Sequence, residues 1–230
     1  MKRTIVVLIT ISLLAALLSG CGGVQDEKPA EEEKIDEEQE EKTLLIGDSL
    51  FDLWKDRYQI DLEGLPNLAN VAIGGTNSIY WTKNQKIIQR ENPTTIIISL
   101  GTNDIGDLNR QGKCAALGGD QIETCLAGVL EALHTTMPNA HIYWLTVNIC
   151  GEAHRWEKRD EIHILNQEMR EYCADKDWVD VIETEYAFYD DENYDQKPNP
   201  VYFVEDFLHF SDRGYDRLTE IVRKALELDQ

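Results

Sequence analysis

The sequence predicts one α/β domain, a three-layer α/β/α sandwich around a doubly wound parallel sheet of about five strands. Two observations carry that reading. From Thr43 onward, apolar runs of strand length alternate with segments whose apolar residues recur at helical spacing, a pattern that builds a parallel sheet with helices on both faces. The chain has 230 residues and no internal repeat, which leaves room for one such core and a tail but not for a second large core.

In chain order, Met1-Lys2-Arg3, an apolar run from Ile5 to Leu18 and then Ser19-Gly20-Cys21 have the charged, apolar and small-residue zones of an export signal. The run is shorter than the roughly 20 residues that cross a bilayer, so residues 1–20 read as a cleaved signal peptide and not as a membrane span. Leu18-Ser19-Gly20-Cys21 resembles the bacterial lipoprotein box. That resemblance implies that Cys21 becomes a fatty-acylated N-terminus, palmitate-type, anchoring an exported protein to the cell envelope; cleavage as an ordinary signal peptide near Gly20 is the alternative. From Val24 to Lys42, 10 Asp/Glu stand against 3 Lys. Residues 21–42 are therefore expected to be the lipidated start and a disordered, self-repelling linker, and the folded domain to occupy residues 43–230.

Within the domain, strands are expected at 44–46, 68–73, 95–100, 141–147 and 178–182. Helical spacing runs through Ile122, Leu126, Val129, Leu130 and Leu133, then Ile162, Leu165, Met169 and Tyr172, and last Leu218, Ile221, Val222 and Ala225. Residues 109–119, with Gly112, Cys114, Gly118 and Gly119, and residues 189–200, acidic with Pro198 and Pro200, read as loops. Asp190, Asp191, Glu192 and Asp195 lack the glycine and ligand spacing of a calcium loop. No His/Cys/Asp cluster has metal-ligand spacing, so no metal and no cofactor is expected.

The formal net charge of -21 argues against nucleic acid and anionic lipid head groups, since both need a basic patch. A neutral small-molecule or glycan ligand fits such a surface better, and a monomer is expected.

Open parallel sheets bind ligands beyond the carboxyl ends of their strands. After the first predicted strand, Gly47-Asp48-Ser49-Leu50 turns from strand to helix. The glycine lets the backbone bend there, and the free N–H groups of the helix favour negative charge beside the hydroxyl. Gly-Asp-Ser is also ordinary turn and N-cap chemistry, so this block alone decides nothing. Gly74-Gly75-Thr76-Asn77 follows the second strand and Gly101-Thr102-Asn103-Asp104 the third, while Asp206-Phe207-Leu208-His209 precedes the last helix, for which Ser211 is a natural cap. Ester hydrolysis by serine needs a hydroxyl, a base, a carboxylate to hold that base, and donors for the oxyanion. Ser49, His209 and Asp206 are candidates for the first three, and the backbone N–H groups of Ser49 and Gly75 with the Asn103 amide for the last.

The blocks Gly47-Asp48-Ser49-Leu50, residues 70–75, Gly101-Thr102-Asn103-Asp104 and Asp206-x-x-His209, in that order, resemble the SGNH hydrolases, also called the GDSL esterase/lipase family, over most of the chain from Thr43. A flavodoxin-like sheet is the fold expected. The resemblance implies a serine esterase working through an acyl-enzyme on an acetylated carbohydrate or a small or lipid ester. In it Ser49 is the nucleophile, Asp206 and His209 complete the triad, and Ser49, Gly75 and Asn103 form the oxyanion hole. Gly74 is the neighbouring candidate; the family's Asn-x-x-x-x-Gly spacing, counted from Asn70, selects Gly75. The alternatives are a lysophospholipase or thioesterase, or a surface binding protein that keeps the fold without turnover. Asp48 and Asp104 read as loop-bracing acids and His154 as the second candidate base. Trp81, Trp144 and Trp156 read as core residues before sugar platforms.

Export permits disulfides. With Cys21 assigned to lipid, Cys114 and Cys125 both fall near the strand-end face, whereas Cys150 and Cys173 are separated by a helix of roughly 20–30 Å. A bridge needs Cα atoms within about 7 Å, so Cys114–Cys125 is the expected pair.

Overall fold

The structure, a computed structural model, describes residues 40–106, 122–190 and 193–229. The export signal, Cys21, the linker through residue 39, the loop at 109–119 with Cys114, the side chain of Cys125, and Asp191 and Glu192 lie outside the described residues.

Strands that read as unbroken apolar runs become the interior of a sheet covered on both faces. They are β1 (Thr43–Gly47), β2 (Ala69–Asn70), β3 (Thr95–Ser99), β4 (His141–Leu145) and β5 (Val179–Ile182), all parallel, in the order β2-β1-β3-β4-β5. Alternation along the strands sends Leu44, Ile46, Ile96, Ile98, Ile142 and Trp144 to one face, where Trp81, Ile88, Leu130 and Met169 meet them. Leu45, Ile97, Leu145 and Ile182 go to the other, against Phe51, Trp54, Phe188 and Val222. The helices Ile122–Thr136 and Arg159–Cys173 cover the first face, and Asp212–Ala225 the second. Each fully buried aliphatic side chain is worth about 1.5–3 kcal/mol, so this two-sided burial is the main stabilising term. The expected single α/β/α domain is the one observed. Its strand order reverses between β1 and β3, the position at which an open sheet leaves a crevice for ligands.

Three boundaries differ from the sequence reading by more than one residue, and at each a side chain binds the backbone. The second strand shortens from 68–73 to Ala69–Asn70: the Val71 and Ile73 N–H groups still reach the Leu45 and Gly47 carbonyls of β1 at 3.0 and 3.1 Å, while the Ala72 N–H, on the open edge of the sheet, turns onto the Asn70 carboxamide Oδ1 at 3.0 Å. The fourth strand ends at Leu145, because the Val147 N–H and C=O both pair with the Asn166 side chain at 2.8 Å. Glu40 to Lys42, assigned from composition to the linker, are held on the domain. Asn67 Nδ2 donates to Glu40 Oε1 at 3.1 Å and to the Glu41 carbonyl at 2.8 Å, and the Lys42 N–H donates to Thr94 Oγ1 at 2.9 Å. Charge pattern along a chain does not register partners so distant in sequence.

Cys150 and Cys173 are buried free thiols on opposite faces of the sheet. Trp81 and Trp144 are core residues, and Trp156 packs, partly buried, against the same cluster.

Gly47 closes β1 with φ +150°, and a Cβ there would sit 2.1 Å from the carbonyl oxygen of Ser99 on β3. Gly47→Ala is therefore expected to cost about 3 kcal/mol through backbone strain and displacement of β1, read as a lower urea midpoint. A variant with the wild-type midpoint would show that this strand end yields.

Candidate active site

The turn after β1 is built to hold a hydroxyl still. Asp48 caps the helix Ser49–Asp52 through Oδ1, which accepts the Leu50 N–H at 3.0 Å. Around it, Thr76 Oγ1 and Trp81 Nε1 donate to the Gly47 carbonyl at 3.0 and 3.2 Å, Tyr215 Oη donates to the Leu50 carbonyl at 3.1 Å, and Asn70 Nδ2 donates to the Phe51 carbonyl at 2.8 Å. Ser49 thus stands on a backbone anchored by four side chains from three other segments.

His209 Nε2 lies 2.9 Å from Ser49 Oγ, and His209 Nδ1 lies 2.6 Å from Asp206 Oδ2. An ionised carboxylate only accepts, so Nδ1 carries the proton and Nε2 is left to accept the one on Ser49. The other carboxylate oxygen of Asp206 accepts the N–H groups of Leu208 and His209, both at 2.9 Å. Burial pushes the Asp206 carboxyl upward, but the His209 ring and the two backbone N–H groups outweigh it and hold the group below the usual carboxylate range. The loop is gripped from behind as well. Phe207 sits in the left-handed region at φ +56°, and its carbonyl accepts the N–H groups of Gly151 and Glu152 at 3.0 and 3.1 Å.

The predicted oxyanion donors lie past the carboxyl ends of β1, β2 and β3. A Cβ on Gly74 would lie 3.8 Å from the Cβ of Ser49, so this glycine turn flanks the serine. The Gly74 N–H is engaged by Asp52 Oδ2 at 3.3 Å. Gly75, at φ +74°, is exposed, and among the described residues neither its N–H nor that of Ser49 meets a protein acceptor. Asn103, on the helix Thr102–Gly106, donates from Nδ2 to the Thr76 carbonyl at 2.9 Å and accepts at Oδ1 from Arg155 Nη2 at 3.3 Å.

Asp104 accepts from the N–H of Ser78 at 3.2 Å and from its hydroxyl, the bracing role read from sequence. His154, the second candidate base, lies in a short helix, Ala153–Glu157. It is exposed and joined to its surroundings through its backbone N–H to Glu152; the ring at Ser49 is that of His209. Sequence reasoning missed Arg155 and Glu152 altogether, since a single arginine past a strand end carries no signal. Asn70 stood out only through family spacing, without its role.

The profile of the GDSL-like Lipase/Acylhydrolase family matches residues 45–217, a span that includes Ser49, Gly75, Asn103, Asp206 and His209. None of the curated proteins matches the chain. Among solved structures, a Streptococcus pneumonia protein named for platelet activating factor is 19% identical, with a TM-score of 0.64 over 84% of this chain and 86% of that one. A GDSL-like lipase from Bacteroides thetaiotaomicron is 16% identical, with a TM-score of 0.61 over 83% and 89%. The C-terminal catalytic domain of peptidoglycan O-acetyltransferase A from Streptococcus pneumoniae is 16% identical, with a TM-score of 0.55 over 82% and 94%. At these identities the likeness is one of fold.

Asp48 is buried, and its Oδ2 has no hydrogen-bond partner among the described residues. Burial, with the charge of Asp104 adding to it, pushes the carboxyl up to about 7 against the Leu50 N–H and Arg155. Between about 4 and 7 the folded chain then holds a proton that the unfolded chain has released, so this group's contribution to stability is present at low pH and is lost as pH rises through about 7. Asp48→Asn should match the wild type at pH 4 and exceed it at pH 8 by an amount on the order of 4 kcal/mol. Urea melts of both proteins at the two pH values check it; a constant difference would mean that Asp48 is ionised in the fold.

Proposed function

The chain belongs to the GDSL-like lipase/acylhydrolase family and is a serine ester hydrolase, and on that premise we propose that Ser49, His209 and Asp206 carry out its reaction on a neutral ester outside the cytoplasm. The observation behind the residue roles is the unbroken hydrogen-bonded line Ser49–His209–Asp206 at 2.9 and 2.6 Å. Ser49 Oγ attacks the ester carbonyl while His209 Nε2 takes its proton. The N–H groups of Ser49 and Gly75 and the remaining N–H of Asn103 receive the oxyanion. His209 then passes the proton to the departing alkoxide, and water, activated by the same ring, releases the acid from the acyl-enzyme. Asp206 keeps the proton on Nδ1 and stabilises the imidazolium as it forms.

For the substrate, the net charge of -21 favours a neutral ester, an acetylated glycan or a small acyl ester, over anionic lipid. Export and anchoring rest on the basic start, the apolar run and Leu18-Ser19-Gly20-Cys21. The acidic residues after Cys21 suit a spacer between the envelope and the domain.

A fluorophosphonate should label the wild type at Ser49. In the same preparations, Asn103→Ala should lower kcat by about 100- to 1,000-fold with little change in KM, because a donor to the oxyanion acts mainly in the transition state. A variant that melts early but turns over normally when cold would reduce Asn103 to a turn brace. Assays on acetyl, butyryl and long-chain p-nitrophenyl esters, beside acetylated xylan and peptidoglycan, should show the highest rates on acetyl groups; a preference for long chains would favour a lipid substrate. In the native host, Cys21→Ala should move the protein from the membrane fraction to the soluble one. Retention of that variant on the membrane would end the lipoprotein reading.

A further inference from the structure

Resting on the reading of Asn103 as an oxyanion donor, we propose that Arg155 is its positioning residue, holding the Asn103 amide so that one N–H faces the substrate oxygen. A carboxamide has two nearly isosteric orientations that exchange donor for acceptor, and only one of them is useful here. The Thr76 carbonyl can only accept and the Arg155 guanidinium can only donate. Asn103 meets the first through Nδ2 at 2.9 Å and the second through Oδ1 at 3.3 Å, so both neighbours select the same orientation. One Nδ2 hydrogen is spent on Thr76 and the other remains. The guanidinium also polarises the amide it holds, which strengthens that remaining donor.

Arg155 is itself fixed. Its Nε donates to the Thr102 carbonyl at 3.3 Å and its Nη1 to Glu152 Oε2 at 3.2 Å, and its side chain is 16% exposed. Three acceptors in three directions suit a planar fork with five donors and not a single ammonium. Glu152 in turn accepts the N–H groups of His154 and Arg155 at 3.1 and 3.0 Å, and its own N–H holds the Phe207 carbonyl at 3.1 Å. Residues 151–155 therefore grip both the Asn103 block and the loop that carries Asp206 and His209.

The test is kinetic, with p-nitrophenyl acetate as substrate and the full chain as enzyme. Arg155→Ala should lower kcat by about 10- to 100-fold, part of the loss expected for removing the donor itself, with KM changed less than about twofold. Arg155→Lys, which keeps the charge and the stem but not the fork, should lose about tenfold, and it serves in place of the alanine variant should that one fail to fold. In an Asn103→Ala background either change should cost less than about twofold, because the two residues act as one unit. Added guanidinium at non-denaturing concentration should restore part of kcat to Arg155→Ala alone, and none to the double variant. A wild-type kcat in Arg155→Lys, or an undiminished loss in the Asn103→Ala background, overturns the proposal. Turnover surviving Ser49→Ala would instead overturn the assignment of the reaction to Ser49, a result distinct from either.

Discussion

The close approach of β1 to β3 at Gly47 is the constraint on which the rest of the site depends. A side chain there would collide with the Ser99 carbonyl, so the strand can end in a tight turn only because that position has none. The turn puts Ser49 at the point where the sheet order reverses, and it leaves the Gly47 carbonyl pointing at the second block, where Thr76 and Trp81 bind it.

From that carbonyl a continuous path of hydrogen bonds runs around Ser49. Thr76 holds Gly47 and receives Asn103. Asn103 receives Arg155, Arg155 is paired with Glu152, and the Glu152 N–H holds Phe207 in the loop whose histidine returns to Ser49. Every link but Arg155–Glu152 joins residues far apart in the chain. Such mutual support is what preorganisation requires, since donors fixed before the reaction need no reorganisation as charge develops.

Charge is distributed unevenly around this path. The chain as a whole is strongly acidic, yet the group behind Asn103 is a largely buried arginine, and the nearby acid Asp48 is pushed toward its neutral form by burial. At the other end, Asp206 is 48% exposed, so solvent screens its charge and its influence depends on geometry, through the short bond that selects the His209 tautomer.

The sequence by itself determined the layers, the parallel sheet and the nature of the reaction. Apolar runs must be buried on both faces, and turn residues at strand ends must face the crevice. The four ordered blocks singled out Ser49, His209 and Asp206, which the structure joins in one hydrogen-bonded line, because residue type at short spacing is legible in a sequence. Tertiary structure alone decided what depends on partners distant along the chain. It left the Gly75 N–H open while Asp52 engaged that of Gly74, ended the fourth strand where Asn166 supplies the bonds of Val147, and held Glu40 to Lys42 on the domain. It also brought Arg155 to Asn103 across 52 positions. An arginine has the same composition and periodicity wherever it points, and only the packing of a short helix after β4 gives this one its partner.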